Sequence, residues 1–215
     1  MRYLTHAIAV GILLLIPVGV WPAAAQARSV SIGGYGLFGS MNFAAAESLK
    51  AVSGTSRGTL VGGGATVGLP WGGLFVDVGA WRVSLDGQRV FVSNGTVYPL
   101  GIPVTITVTP LEFTGGWQFK TKSKRFTPYV GIGVSSYAYT ETSSLAAAGE
   151  DVSDRFSGYH LIGGVRMRVR KWLTAGGEVA WTTIPNALAA GGVSKEFGED
   201  NLGGTSIRLK VTVGR

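Results

Sequence analysis

The stretch VRMRVR at residues 165–170 alternates apolar and cationic side chains, and IRLKVT at 207–212 repeats the arrangement near the end of the chain. Successive side chains of a β-strand point to opposite faces of the sheet, so each stretch predicts a strand with one apolar and one charged face. A soluble sheet would turn the charged face to water. A membrane barrel would turn it to a polar lumen and the apolar face to lipid.

The composition favours an all-β fold, because Gly, Thr, Ser, Val and aromatic residues dominate and helix formers are sparse. Only 14% of the 215 residues are charged, which is low for a soluble domain, and 34 are glycine. Alternating segments between turn residues predict eight strands, at 29–40, 57–69, 72–84, 104–119, 125–140, 155–170, 172–184 and 202–214.

The predicted connections alternate in length, as they do in outer-membrane barrels with short periplasmic turns and long external loops. The short connections are 69–73, 121–125 and 170–171. The long ones, which we expect to offer contact sites for an extracellular partner, are 41–56, 85–103, 141–154 and 185–201. Within the first of these, AAAESLKA at 44–51 predicts a short helix.

The first 27 residues have the features of a secretory signal peptide. Arg2 precedes a short apolar run, and Ala25 and Ala27 form a small-x-small cleavage site. The alternative, a membrane anchor, is less favoured because the apolar run is shorter than a spanning helix needs. We therefore expect a signal peptide at 1–27 and one barrel domain at 28–215. The chain has no cysteine, which excludes disulfides and a lipid-modified cysteine.

A soluble ligand-carrying barrel is the main alternative to a membrane barrel, since its strands also alternate but with the apolar face inside. The stretches LVGGGATVG at 60–68 and YVGIGVSSYAY at 129–139 have no charged residue, which argues against a water-exposed exterior. The sequence therefore predicts an all-β, eight-stranded antiparallel up-and-down transmembrane β-barrel. Aromatic residues near predicted strand ends are expected at the lipid–water boundary: Trp71, Phe75, Trp81, Trp117, Phe119, Phe126, Tyr129, Trp172 and Trp181.

Charged side chains on the lumen face must be paired, because an isolated buried charge is strongly unfavourable. We expect Glu178 to pair with one of Arg166 and Arg168 and with one of Arg208 and Lys210, or else these charges to lie near the water-exposed rims. The full candidate network is Asp77, Glu112, Arg166, Arg168, Glu178, Arg208 and Lys210.

Four stretches resemble the small eight-stranded outer-membrane β-barrels of Gram-negative bacteria, the opacity-type and OmpA-like barrels: TPYVGIGVSSYAY (127–139), GYHLIGGVRMRV (158–169), TAGGEVAW (174–181) and GGTSIRLKVTVG (203–214). The resemblance implies a location in the cell outer membrane. It also implies contact with outer-membrane lipid and lipopolysaccharide, and assembly by the outer-membrane insertion machinery. Such barrels typically end in an aromatic residue, whereas this sequence ends Val213-Gly214-Arg215.

The sequence offers no catalytic or cofactor-binding pattern. Beyond the predicted signal peptide, His160 is the sole histidine, and Ile162 stands where lipid-modifying barrels would need a serine. We predict no enzyme activity, no cofactor, no metal site and no nucleic-acid partner. The predicted function is a structural or surface-interaction role for a monomer with a narrow charged lumen. The alternative is a small pore for ions or small solutes.

Overall fold

The computed structural model describes residues 30–93, 96–123, 125–143, 152–188 and 192–214. The predicted signal peptide and its cleavage site at Ala25 and Ala27 lie outside the described residues. Eight antiparallel strands, each paired with its neighbours in chain order, close into a barrel, which confirms the predicted fold class. The strands are β1 Ser31–Phe43, β2 Arg57–Gly68, β3 Leu74–Ser93, β4 Thr96–Gln118, β5 Phe126–Thr142, β6 Val152–Arg168, β7 Leu173–Thr183 and β8 Gly204–Gly214.

The two ends of the barrel differ. At one end, which we call the inner end, short connections join the strands at 69–73, 119–125 and 169–172; the opposite end is called the outer end. At the outer end lie two short helices, α1 at Ala46–Ser53 and α2 at Gly192–Glu196. The helix predicted from 44–51 is therefore confirmed, and it ends at Gly54, whose φ of 72° a glycine adopts without strain. No helix within the described ranges is long and apolar enough to cross a membrane.

The prediction of a long loop at 85–103 is wrong. Strands β3 and β4 instead continue as a protruding hairpin, paired as far as Ser93 and Thr96. Gly87 and Pro103, residues of types that weaken regular strands, lie beside an irregularity between Gln88 and Val90, where the pairing register shifts. A bulge of this kind tolerates residues that would interrupt a regular ladder.

Apolar side chains face outward around the whole barrel. Along β3, Val76 and Val78 are exposed, and the same face continues with Arg82, Ser84 and Asp86 toward the outer end. The apolar band therefore ends near Arg82, and the protruding hairpin lies beyond it. On the later strands, the apolar band includes Leu111, Phe113, Val130, Ile132, Val134, Leu161, Val165, Val179, Ile207, Leu209 and Val211.

Six of the nine aromatic residues predicted for the lipid–water boundary face outward, and the prediction is wrong for the other three. Trp71, Trp117, Phe119, Phe126, Trp172 and Trp181 are exposed. Phe75, Trp81 and Tyr129 instead point into the lumen, because each occupies the inward-facing phase of its strand. Phe75 and Tyr129 pack edge to face there, with ring centroids 5.7 Å apart.

The outer half of the lumen is filled by apolar side chains, which the sequence did not predict. Trp81 and Tyr137 pack edge to face with ring centroids 6.3 Å apart, at the centre of a buried cluster. We call this cluster the lumen plug. It comprises Leu37, Met41, Phe43, Leu49, Leu60, Trp81, Val83, Leu85, Ile106, Val108, Tyr137, Tyr139, Ile184, Ala187 and Leu202.

Candidate functional site: the lumen and the outer surface

The charged residues of the lumen come from four strands and lie just inside the lumen plug. Arg208 and Lys210 occupy alternate, inward-facing positions of β8, and Glu178 of β7 is directly paired with Arg208 in the ladder. Glu112 and Asp77 approach from β4 and β3. The strand period that exposes Ile207, Leu209 and Val211 thus turns these five side chains inward.

Arg208 binds Glu112 through two hydrogen bonds. Its Nη1 donates to Oε2 at 2.8 Å and its Nη2 to Oε1 at 3.0 Å, and both residues are buried. Trp81 Nε1 donates a further bond of 2.8 Å to the same carboxylate, and Arg208 Nε donates to Ser206 Oγ at 2.8 Å. Bidentate pairs of this kind are among the strongest hydrogen-bonded contacts in proteins.

Glu178 joins the group with a weaker contact. Arg208 Nη1 lies 3.5 Å from its Oε1, and Tyr129 donates its hydroxyl proton to Oε2 at 2.9 Å. Lys210 pairs with Asp77 and lies 3.7 Å above the centroid of the Tyr35 ring. The structure therefore brings Asp77, Glu112, Glu178, Arg208 and Lys210 together as a buried cluster, which we call the ionic layer.

Arg166 and Arg168 are not partners of Glu178, which corrects that part of the predicted network. The guanidinium of Arg166 lies between the rings of Phe75 and Tyr129, at 4.9 and 4.7 Å from their centroids. Arg168 is exposed at the inner end of β6. Both arginines are nearer the inner end than Glu178, because Gly164 is the β6 residue paired with Glu178.

His160 is fully buried, and its two ring nitrogens are both occupied. Nε2 lies 2.8 Å from Thr114 Oγ1, and Nδ1 lies 2.8 Å from Ser135 Oγ. A histidine held this way links three strands, β4, β5 and β6, inside the lumen. Within the ranges described, no group of three or more His, Cys, Asp or Glu side chains is arranged to hold a metal ion.

The ionic layer leaves almost no free space. The cavity lined by its side chains together with Tyr35 has a volume of about 10 Å³. That is room for roughly one water molecule. The lumen plug lies on the outer side of this cavity, so buried side chains fill the described lumen from the ionic layer to the lumen plug.

The outer helices are fastened by Glu199, a residue that the sequence analysis did not identify. Its carboxylate accepts hydrogen bonds from the backbone N–H of Glu47 at 3.0 Å and of Ser48 at 2.8 Å, in the first turn of α1. Ala45, at the helix N-cap, has no side chain able to cap. Glu199 is 152 residues from Glu47 in the chain, so no local pattern could have indicated the contact.

The pKa of Glu199 lies below its ordinary value. Burial alone would raise the pKa of this carboxyl, but the bonds donated by the backbone N–H groups of Ser48 and Glu47 favour the ionised form and outweigh burial. The partial positive charge at a helix N-terminus acts in the same direction. The connection between β7 and β8 is thereby held against α1.

A mainly apolar cavity of about 410 Å³ opens at the outer end, between the helices, the protruding hairpin and the ends of β5 and β6. We call it the outer cavity. Leu49 and Ile106 form part of its buried wall, while Leu100 and Val152 are exposed at its edge. Tyr139 donates its hydroxyl proton to Glu141 on one side of the cavity and so adds a polar group to the lining.

No protein-family profile matches the sequence, and a comparison with curated protein sequences gave no match. Solved structures do match the fold. Neisserial surface protein A, from Neisseria, has a TM-score of 0.55 and 13% identity over 86% of this chain and 96% of its own. A major outer membrane protein from Thermus thermophilus has a TM-score of 0.53 and 10% identity, covering 87% of this chain and 100% of its own. The fold is thus that of the eight-stranded outer-membrane β-barrels.

Proposed function

We propose that this protein is an outer-membrane surface protein, in which a closed barrel anchors an ordered outer structure that contacts a partner outside the cell. The observation that supports this proposal best is the contrast between the two parts of the molecule. The lumen is filled by the ionic layer and the lumen plug, whereas the outer end has two helices, a protruding hairpin and an open cavity.

The apolar exterior supports a membrane location. Ile132, Ile207 and Leu209 are more than half exposed, and comparable side chains surround the barrel. Soluble monomers rarely expose continuous apolar patches of this extent, whereas lipid tails would cover them without penalty. We therefore propose outer-membrane lipid and lipopolysaccharide as the surroundings of the band, and the outer-membrane insertion machinery as the assembly partner of a monomeric barrel.

The differences between the barrel ends support an orientation. Short turns lie on the periplasmic side of outer-membrane barrels and long loops lie outside. We propose that α1, α2 and the protruding hairpin face the exterior. The partner surface then comprises the connections around 41–56, 141–154 and 185–201 together with the hairpin that replaces the predicted loop at 85–103.

The outer cavity is the part of this surface best suited to a ligand. Its size lies within the range of small-molecule sites, and its aliphatic lining with a few polar groups is typical of them. We propose that it accepts an apolar group of the partner. A pore function is less well supported, because the cavity between the ionic residues has a volume of only about 10 Å³.

The absence of cysteine from the chain allows a direct test of location and orientation. Ser93→Cys places a thiol at the end of the protruding hairpin, and Ser123→Cys places one in a short inner connection. On intact cells, a membrane-impermeant maleimide should label the first variant and not the second, while both should react after the outer membrane is opened. Recovery of the protein in the soluble periplasmic fraction, without detergent, would contradict the proposal.

Export to this location requires a signal, and we propose that 1–27 supplies it. The intact mass of the protein extracted from outer membranes should correspond to a chain that begins at Arg28. Retention of the first 27 residues would contradict cleavage after Ala27 and would leave the barrel proposal standing.

A further inference from the structure

A second cavity, of about 200 Å³, opens at the inner end of the lumen, and we call it the inner mouth. Three cationic side chains line it, Arg166, Arg168 and Lys171, and none of the lining residues that the structure describes is acidic. The other polar side chains of the lining are Ser31, Thr66, Gln118, Thr127, Thr174 and Thr212. The inner mouth is therefore basic and rich in hydroxyl groups, in contrast to the charge-balanced ionic layer.

Arg166 has hydrogen-bonding capacity that the described part of the protein does not use. Its Nε and Nη2 atoms are buried and have no hydrogen-bond partner there. Arg208, further into the lumen, has two carboxylates of the ionic layer around it. Leaving buried guanidinium donors without acceptors is unfavourable, so an external acceptor that draws the Arg166 side chain toward the inner mouth would stabilise this site.

The position of the Arg166 guanidinium is fixed by packing. It is held between the rings of Phe75 and Tyr129, and both of these are buried. The two rings restrict the movement of the guanidinium, so a short shift toward the inner mouth brings its donors to a ligand, and its planar fork matches the oxygens of an oxyanion. Arg168 and Lys171 lie at the rim, where their charges would attract an anion toward the fork.

We propose that the inner mouth binds a phosphate group carried on a small soluble molecule at the periplasmic side of the barrel. Arg166 binds two phosphate oxygens, Arg168 and Lys171 balance the negative charge, and Thr127 and Thr174 donate hydroxyl hydrogen bonds. A phosphate suits three cations better than a carboxylate does, because it brings more oxygens and up to two negative charges. The cavity has room for the phosphate and a small attached group.

A lipid phosphate presents the same chemistry as a soluble phosphate. The soluble source is favoured because the hydroxyl lining of Thr66, Thr174 and Thr212 lies on the lumen side of the cavity, while the exposed Ile32 and Trp172 line only its edge. This proposal concerns the opposite end of the barrel from the outer cavity and does not depend on what binds there.

The test uses the whole mature chain in detergent micelles. Titration with inorganic phosphate and with glycerol 3-phosphate at low ionic strength, followed by calorimetry, should show binding that weakens as salt is added. Arg166→Gln should weaken binding by about tenfold or more, since hydrogen bonds between charged groups are lost. Arg57→Gln, an exposed arginine at the outer end of β2, is the matched control and should leave binding unchanged.

A second variant allows the proposal to be tested even if Arg166→Gln does not fold. The double change Arg168→Gln/Lys171→Gln alters exposed rim residues only, and it should weaken phosphate binding by about tenfold while the heat-shifted gel mobility stays normal. Equal affinity for phosphate in wild type and the double variant would overturn the proposal. The proposal would also be overturned if neither inorganic phosphate nor glycerol 3-phosphate bound. That outcome includes the case in which the protein binds only to vesicles of phosphatidylglycerol.

Discussion

Arg208 of β8 and Glu112 of β4 join opposite walls of the barrel. In the closed order of eight strands, three strands separate β4 from β8 on either side. The two hydrogen bonds of 2.8 and 3.0 Å between these side chains therefore span the whole lumen. Glu178 on the adjacent strand and Trp81 at the base of the lumen plug complete the contacts around them.

Glu112→Gln should destabilise the barrel. The change removes the carboxylate charge that faces Arg208 and leaves the longer contact to Glu178 as the remaining ion pair of this buried guanidinium. Breaking a buried pair in this way costs about 3 kcal/mol or more. Glu178→Gln should have a smaller effect, because its amide oxygen can still accept from Tyr129. Urea unfolding in lipid vesicles, followed by tryptophan fluorescence and heat-shifted gel mobility, measures both changes. Glu196→Gln, on an exposed residue of α2, is the control, and a Glu112→Gln midpoint equal to that of this control would contradict the structural role.

Lys210→Met should also destabilise the barrel, by about 3 kcal/mol, because it leaves the Asp77 carboxylate buried without a cation. The double variant Asp77→Leu/Lys210→Met should recover most of that loss, since an apolar pair of similar volume often replaces a buried ion pair without penalty. The same unfolding measurement decides the matter. If the double variant is as unstable as the sum of the two single changes, the two residues do not act as a pair.

Gly133→Ala should lower the stability of the barrel and Gly177→Ala should leave it almost unchanged, although both glycines lie in mid-strand. A methyl group at Gly133 would overlap the Phe113 carbonyl and the His160 ring inside the lumen, which should cost about 1–3 kcal/mol. At Gly177, on the outward face, no atom lies within 4 Å of the added carbon, so stability should change by about 0.5 kcal/mol or less. Comparable losses at both positions would show that crowding in the lumen is not the reason for its glycines.

Acidification should release α1 from Glu199. Because the folded pKa of Glu199 is below its ordinary value of 4.5, the stabilisation is complete above that value and is lost as the pH falls through the folded pKa. The amide proton signals of Glu47 and Ser48 in NMR spectra should therefore shift with a midpoint below pH 4.5. In Glu199→Gln this titration should disappear, whereas in Glu196→Gln it should persist. A midpoint at or above the ordinary value would contradict the proposed contact.

The sequence predicted the barrel well, because the strand period is a local property. Each of VRMRVR and IRLKVT specifies its own inward and outward faces, and eight such segments with alternating connection lengths leave few other folds. The protruding hairpin was not predicted, because the strand period is interrupted locally where the register shifts between Gln88 and Val90.

The partners of the lumen charges could not be predicted in the same way. Pairing between Arg208 and Glu112 depends on which strands lie opposite one another and on how far the strands are shifted, and both are properties of the closed barrel. Glu178 was predicted as a partner because it is on a neighbouring strand, and it makes the longer of the contacts. The outer half of the lumen, expected to be polar, is apolar because Val83, Leu85, Ile106 and Val108 continue inward-facing positions beyond the band.

Conductance across a planar lipid bilayer tests most directly the proposal that the barrel is a surface anchor and not a pore. The purified mature chain, refolded to its heat-shifted form and inserted into the bilayer, should give no discrete current steps, while a general porin added to the same membrane does. Steady, reproducible single-channel openings from the folded protein would contradict the account, since the ionic layer leaves only about 10 Å³ between its side chains.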